Sequence, residues 1–341
     1  MNLAPTLIWI VAWQGMSFVV VLLGNVWPAL DPFRQLHHWL KPPPSFRTWA
    51  PALGVWPATT LLLLWSALEV IYPLATTPFK VGCALLCWML VSLWGQHLWG
   101  KAWHANADFV SLYLAWMGRL SLLGRPAPTE PDSAKPGQLG FVMAMLSTVL
   151  FDGLHGGSGW LVFEAFMRRG LTTAIDPNGY AIGACGLLGV WLVQCAGYGL
   201  VCHITAWTSG TGNMRSWAVP WLPTLVPIAV AYNVAHNFSS MVIQGQSFVQ
   251  LLSDPLGRQW NVLGTATWYP DIGLLDAEVN WYIALTSIVV GHMVSVVMAH
   301  RVAMGLAPRR VFQATWPLTL WMLSLTALSL YILADPMTNG V

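Results

Sequence analysis

The chain has 341 residues, of which 56% are hydrophobic and only 8% are charged, and its formal net charge is +2. Soluble domains carry about 25% charged residues, so this composition excludes an ordinary soluble protein. Apolar stretches of about 18 residues or more recur along the sequence, each long enough to cross a hydrocarbon layer about 30 Å thick. We therefore predict an all-α, polytopic protein whose surroundings are the lipid bilayer. The net charge is uninformative about nucleic acid, and no run of Lys or Arg suggests a nucleic-acid partner, so none is predicted.

The apolar stretches predict eight membrane-spanning helices that form one integral membrane domain, residues 1–341. Between the third and fourth spans, the linker 101–137 contains the amphipathic stretch DFVSLYLAWMGRLSLLGR, which we predict to be a helix lying in the membrane interface. A long loop, 244–278, follows the sixth span. The predicted spans are 6–29, 52–74, 80–100, 138–155, 181–207, 217–243, 279–303 and 312–334.

The distribution of Lys and Arg predicts the orientation of these spans. Eleven of the 15 Lys and Arg residues lie in the odd-numbered loops, and the other four lie in the even-numbered loops. Because positively charged loops stay on the cytoplasmic side, we expect the linker 101–137 to be cytoplasmic. Both termini and the loop 244–278 are then expected to face outward.

Ionisable side chains recur in the outward halves of the predicted spans. Asp152 and Glu69 lie near the outward ends of the fourth and second spans. His236 lies about 12 Å below the outward end of the sixth span, and His292 lies near the middle of the seventh. Because an ionisable group inside a membrane is costly, it usually faces a polar cavity and has a function. We predict Asp152, His236 and His292 as catalytic residues and, together with Glu69, as metal ligands.

Further polar residues are predicted to surround this site as second-shell or rim residues. His155 follows Asp152 by one helical turn in the stretch STVLFDGLHGGSGW. The structural alternatives stay open, because Asp152 would also suit a helix end and His236 would also suit hydrogen bonding between helices. The predicted rim residues are His155, Asn233, Gln246, Asp254 and Arg258.

Four histidines near the cytoplasmic ends of spans have a different interpretation. His97, His104, His203 and His300 lie at span ends, several of them beside tryptophans. Histidine and tryptophan are common anchors at the membrane interface, so we interpret these residues as anchors. His97 and His104 are also about 10 Å apart along the chain if it is helical, too far to share one ion.

Four stretches resemble one group of bacterial multi-pass membrane proteins, identified as fenitrothion hydrolases, which hydrolyse organophosphate triesters. The stretches are STVLFDGLHGGSGW, DFVSLYLAWMGRLSLLGR, AHNFSSMVIQGQ and GHMVSVVMAH, and the resemblance extends from about Leu7 to Arg301. It implies a location in the bacterial cytoplasmic (inner) membrane. It also implies hydrolysis of a small apolar substrate.

Three functions remain open from the sequence. A divalent metal such as Zn²⁺, held by His and carboxylate ligands, would supply the hydroxide that triester hydrolysis requires. Alternatively, His236 and His292 would bind haem b or copper in a redox or electron-transfer subunit. The glycine-broken stretch FDGLHGG is also compatible with a transporter, or with an assembly factor that contacts other membrane subunits.

Overall fold

The structure is a computed structural model that describes residues 3–40, 45–72, 77–124, 135–170 and 176–334. Within these ranges all regular elements are helices, which confirms the all-α prediction. In the described part of the chain, eight helices are long and apolar enough to cross a membrane, which confirms the multi-pass prediction. They are Leu3–Leu23, Pro51–Ile71, Pro78–Trp99, Gln138–His155, Tyr180–Ser209, Met214–Gln244, Ala277–Leu306 and Val311–Ala334.

The end of the first span differs most from its predicted boundary. The prediction continued the helix to residue 29, whereas the helix ends at Leu23. Gly24 follows with φ of 92° and donates its N–H to the carbonyl of Val20 at 2.9 Å. Glycine adopts such a positive φ without steric cost and therefore ends helices. A short separate helix, Trp27–Leu30, follows this break.

The chain divides into two compact units, which we call unit 1 and unit 2. Unit 1 contains the first and third spans, unit 2 contains the second, fourth, fifth and eighth, and the sixth and seventh are divided between the units. The prediction of a single membrane domain stays a prediction. Unit 1 consists of Met1–Ala50, Tyr72–Pro128 and Asn233–Ile283, and unit 2 consists of Pro51–Ile71, Thr129–Tyr232 and Ala284–Val341.

In unit 1, the linker after the third span forms two short helices, Lys101–Asn106 and Phe109–Met117. The second of these is largely buried and packs beside the first span, where the rings of Trp13 and Tyr113 stack with centroids 5.0 Å apart. Aromatic pairs of this kind stabilise packing beyond the area that they bury. The predicted interfacial position of this segment stays a prediction, and residues 125–134 of the linker lie outside the described residues.

In unit 2, the fourth span forms the centre of the packing. About 72% of its most apolar window is buried, and it contacts the second, fifth and eighth spans. Side chains hydrogen-bond to the backbone carbonyls of neighbouring spans, as Trp191 does to Gly140 at 2.9 Å and Thr205 does to Ala314 at 3.3 Å. Small and polar residues at such contacts are typical of helices that pack inside membranes.

Candidate metal centre

Asp31 lies in the loop between the first and second spans, immediately before the helix Pro32–Leu40. Its Oδ1 accepts hydrogen bonds from the backbone N–H groups of Phe33 at 3.0 Å and Arg34 at 3.2 Å. Aspartate is favoured here because its carboxylate satisfies N–H groups that have no partner within the helix. The side chain is only 2% exposed, and its Oδ2 accepts no hydrogen bond from the described residues.

Asp108 caps a helix in the same way in the linker after the third span. Its Oδ1 accepts the N–H of Val110 at 3.2 Å, at the start of the helix Phe109–Met117. Its Oδ2 accepts the hydroxyl of Ser111 at 2.7 Å. Four residues earlier, His104 lies on the helix Lys101–Asn106. The turn between the two short helices places the imidazole of His104 beside the carboxylate of Asp108.

These three side chains converge on one point in unit 1. The Nδ1 of His104 lies 3.1 Å from Oδ2 of Asp108 and 3.6 Å from Oδ2 of Asp31. One ligand atom from each residue lies within 4.8 Å of the other two. We call this group the Asp–His–Asp cluster. Among the residues that the structure describes, it is the only group of three or more His, Cys, Asp or Glu side chains arranged closely enough to hold a metal ion.

The electrostatics of the cluster favour a cation. Burial, followed by the negative charge of Asp108, raises the pKa of Asp31. The backbone N–H groups of Arg34 and Phe33 and the imidazole of His104 oppose this effect. Two buried carboxylates side by side repel each other, and a cation bound between them removes this repulsion while leaving both carboxylates ionised.

The cluster is part of a region rich in histidine. Burial, together with the positive charges of His104 and His97, lowers the pKa of His37. The Nε2 atom of His37 is buried and has no hydrogen-bond partner among the described residues. The neutral form of His37 is therefore favoured, and it adds no competing positive charge beside the carboxylates.

Two of the three ligand separations in the cluster are close to those around a small divalent ion. Zn²⁺ binds His nitrogen and carboxylate oxygen at about 2.0–2.2 Å, so two ligands at a tetrahedral ion are separated by roughly 3.3–3.6 Å. The distances from Nδ1 of His104 to the two carboxylates are 3.1 and 3.6 Å, and the ligand atoms of Asp31 and Asp108 lie within 4.8 Å of each other. Three protein ligands would leave a fourth position open for water or substrate, as in catalytic zinc sites.

The ligands predicted from sequence are divided between the two units. Asp152, Glu69 and His292 belong to unit 2, whereas His236 belongs to unit 1. His292 is 5% exposed, its Nδ1 lies 2.8 Å from the carbonyl of Ile288, and its buried Nε2 has no hydrogen-bond partner within the described part of the chain. Their grouping into one site stays a prediction.

Glu69 and Asp152 both lie near the ends of membrane-spanning helices. Glu69 lies in a short π-helical turn, Ala67–Ile71, at the end of the second span. Such turns are rare and occur frequently at functional sites. Asp152 lies in the last turn of the fourth span, within electrostatic range of His155 and Tyr232. The predicted rim residue His155 packs between aromatic rings instead, with centroids 5.5 Å from Phe151 and 5.4 Å from Trp160.

His236 lies in the sixth span between two asparagines that are hydrogen-bonded to each other. The Nδ2 of Asn237 donates to Oδ1 of Asn233 at 2.7 Å, and Asn233 is only 5% exposed. This bond satisfies the carbonyl oxygen of Asn233, which we predicted as a rim residue, and it lies within one helix. The alternative role of His236 in hydrogen bonding between helices stays a prediction.

The predicted rim residues of the loop 244–278 organise the loop itself. Gln246 forms two hydrogen bonds with the backbone of Asp271, at 3.0 and 3.1 Å. Asp254 accepts the N–H of Arg258 at 2.7 Å, and the guanidinium of Arg258 lies 5.7 Å from the ring centroid of Trp260. These contacts give each side chain a structural role in the loop, independent of any ligand.

Sequence reasoning missed the Asp–His–Asp cluster. We interpreted His104 as an interfacial anchor, and neither Asp31 nor Asp108 was among the predicted ligands. Two signals were available: each aspartate immediately precedes a helix, and His104 and Asp108 are four residues apart. The pairing of Asp31 with the other two depends on a contact between loops, which local sequence does not reveal.

No family model, curated protein sequence or solved structure matches the chain. The resemblance to organophosphate hydrolases therefore stays a prediction. The functional argument depends on the chemistry of the cluster itself.

Proposed function

We propose that the protein is a multi-pass membrane metalloprotein in which Asp31, His104 and Asp108 bind one divalent ion of the zinc or manganese class. The observation that carries this proposal is the convergence of one imidazole and two carboxylates within 4.8 Å. Both carboxylates are nearly inaccessible to solvent, with 2% and 3% exposure. Buried charges of one sign occur where they are paired or where they coordinate a metal.

The composition of the ligand set favours some metals over others. One imidazole nitrogen and two carboxylate oxygens suit Zn²⁺ and Mn²⁺, whereas copper in electron-transfer sites prefers thiolate and several imidazoles. Haem b in a redox subunit requires axial ligands such as a second histidine, which this cluster does not contain. The donor set therefore supports a Lewis-acid metal rather than the redox alternative.

The proposed metal lies on the side of the membrane opposite to the predicted outward site. Asp31 is in the first loop and His104 and Asp108 are in the third, and the Lys/Arg distribution predicts that both loops are cytoplasmic. We propose that substrate reaches the metal from the cytoplasmic side. The outward residues Asp152 and His236 stay candidates for a separate role.

The reaction that we propose is hydrolysis. An ion with three protein ligands and an open position lowers the pKa of a bound water and polarises the bond that the water attacks. The resemblance to organophosphate hydrolases supports a small apolar triester as the substrate. Hydrolysis of a chromogenic triester by purified protein, with and without chelator, tests this step after metal binding has been measured.

Metal analysis of protein purified in detergent tests the proposal. After incubation with Zn²⁺ or Mn²⁺ and removal of unbound ion, we expect about one ion per chain in the wild type. Asp31→Asn and His104→Ala should lose it. Asp176→Asn is the matched control, because Asp176 is also buried and also accepts helix N–H groups, from Ala181 and Ile182, but lies outside the cluster.

Two results would contradict the proposal. One is a wild-type protein that retains no stoichiometric ion. The other is an Asp31→Asn variant that retains as much ion as the wild type and Asp176→Asn.

A further inference from the structure

A cavity of about 700 Å³ lies in unit 2, between the fourth, fifth and eighth spans and the helix Ser158–Gly170. Volumes of about 300–1,000 Å³ are typical of small-molecule sites. The cavity follows the fifth span from Ala181 to Gly197, a distance of about 24 Å at the rise of an α-helix. It therefore covers most of the depth of a hydrocarbon layer.

Glycines provide the space in this cavity. At Gly189, on the fifth span, an added side chain would meet no atom within 4 Å, and the same holds at Gly159. Because both glycines line the cavity, larger side chains at these two positions would meet open space at its wall and leave the surrounding packing intact.

One polar side chain in the cavity wall is the amide of Gln194. Gln194 is 5% exposed, lines the cavity, and forms no side-chain hydrogen bond with the described residues. It lies near the middle of the 30-residue fifth span, where water is scarce. Buried polar groups are nearly always hydrogen-bonded, because leaving one unpaired in apolar surroundings is costly.

Indole N–H groups add to the polar character of the wall. The indole of Trp321 lies one helical turn further along the cavity, where a methyl group added to Gly197 would be 3.1 Å from its Nε1. The Nε1 of Trp160 also lines the cavity side of its helix and is buried without a partner among the described residues. An indole nitrogen donates only, and a glutamine amide offers two N–H donors together with one carbonyl acceptor. Donors therefore outnumber acceptors among the side chains of Gln194, Trp160 and Trp321.

We propose that this cavity binds a neutral, mostly apolar small molecule from the bilayer, and that Gln194 and Trp321 donate hydrogen bonds to a carbonyl oxygen of that molecule. Among the residues that line the described cavity, none carries a charged side chain, which disfavours an ionic ligand. The excess of donors selects an acceptor oxygen. The proposal concerns unit 2 alone and does not depend on the metal proposal, so the two can fail separately.

The test compares two probes that differ in one oxygen. Tritium-labelled 9-heptadecanone and heptadecane have the same chain length, and only the first has a carbonyl. With the wild-type protein in lipid nanodiscs, we expect saturable binding with about tenfold higher affinity for the ketone, the effect of one net hydrogen bond. Gln194→Met, which keeps the side-chain volume, should reduce this preference, and the remaining preference should reflect the Trp321 donor.

Filling the cavity should affect both probes. Gly189→Leu and, independently, Gly159→Leu should each lower the affinity for ketone and alkane about tenfold or more. Gly82→Leu is the matched control, because Gly82 lies on the third span and an added side chain there also meets nothing within 4 Å. It should bind both probes as the wild type does, and size-exclusion profiles check that all variants fold.

Three outcomes would overturn this proposal. Equal affinity of the wild type for ketone and alkane would mean that the Gln194 amide is satisfied by water and does not select a ligand. Non-saturable uptake would mean simple partitioning into lipid. Unchanged affinity in folded Gly189→Leu and Gly159→Leu proteins would place binding elsewhere.

Discussion

Replacing Asp31 by Asn should abolish metal binding and yet leave the metal-free protein about as stable as the wild type. The Asn side chain keeps an oxygen that accepts the N–H groups of Phe33 and Arg34, and Asn is as good a helix cap as Asp. The substitution removes a negative charge that burial and Asp108 both disfavour. It also removes the contact with His104 at 3.6 Å, so the two changes oppose each other.

The expected change in the free energy of unfolding differs between the metal-free and the metal-bound protein. For the metal-free protein we expect a change in the free energy of unfolding of at most about 1 kcal/mol, since the cap is retained. For the wild type, an ion at a free concentration of 100 times its Kd stabilises the folded state by about 2.7 kcal/mol. The variant should show none of this stabilisation.

The assay is thermal unfolding in detergent, followed by tryptophan fluorescence, with chelator and with added Zn²⁺ or Mn²⁺. A metal-induced rise in the unfolding midpoint is expected for the wild type and for the control Asp176→Asn. The reasoning would be refuted if Asp31→Asn showed the same metal-induced rise. It would also be refuted if the variant lost more than about 2 kcal/mol in chelator, because the carboxylate would then be a structural charge rather than a ligand.

Three further predictions concern Asp108, Asp31 and His155. Asp108→Ala should destabilise the metal-free protein by about 1 kcal/mol or more, because it removes the helix cap and the hydrogen bond from Ser111. Asp108→Asn should leave the stability of the metal-free protein nearly unchanged, and the same unfolding assay measures both variants. Burial and the charge of Asp108 raise the pKa of Asp31, and the ion binds the ionised carboxylate; the apparent metal affinity should therefore fall as the pH decreases through this raised pKa, as metal titrations at a series of pH values would measure. His155→Ala should cost about 0.5–1.5 kcal/mol of stability through lost ring contacts, including that with Trp160, and should leave the metal content unchanged; loss of the ion in this variant would mean that His155 is a ligand.

The membrane-spanning architecture was predictable from the sequence because it depends on a local property. A stretch of about 20 apolar residues must be helical in a membrane, since hydrocarbon offers no hydrogen bonds to the backbone. The fourth span, predicted at 138–155, is observed at Gln138–His155, and the other seven spans also coincide with predicted ones. The error at the end of the first span arose because Gly24, inside an apolar stretch, adopts a positive φ that hydropathy does not register.

The metal centre was decided by the tertiary structure. The sequence shows Asp31 and Asp108 only as residues that precede helices, and it shows His104 only as a histidine near a span end. Their convergence depends on how two separate loops of unit 1 fold against each other, and no periodicity in either loop encodes that contact. In the same way, Gln194 is visible in the sequence as one polar residue in an apolar span. Whether its amide has a partner depends on which side chains surround it, and only the packed helices determine that. The hydropathy of a span depends only on residues that are neighbours in the sequence, whereas a binding site depends on distances between residues that are remote in the sequence.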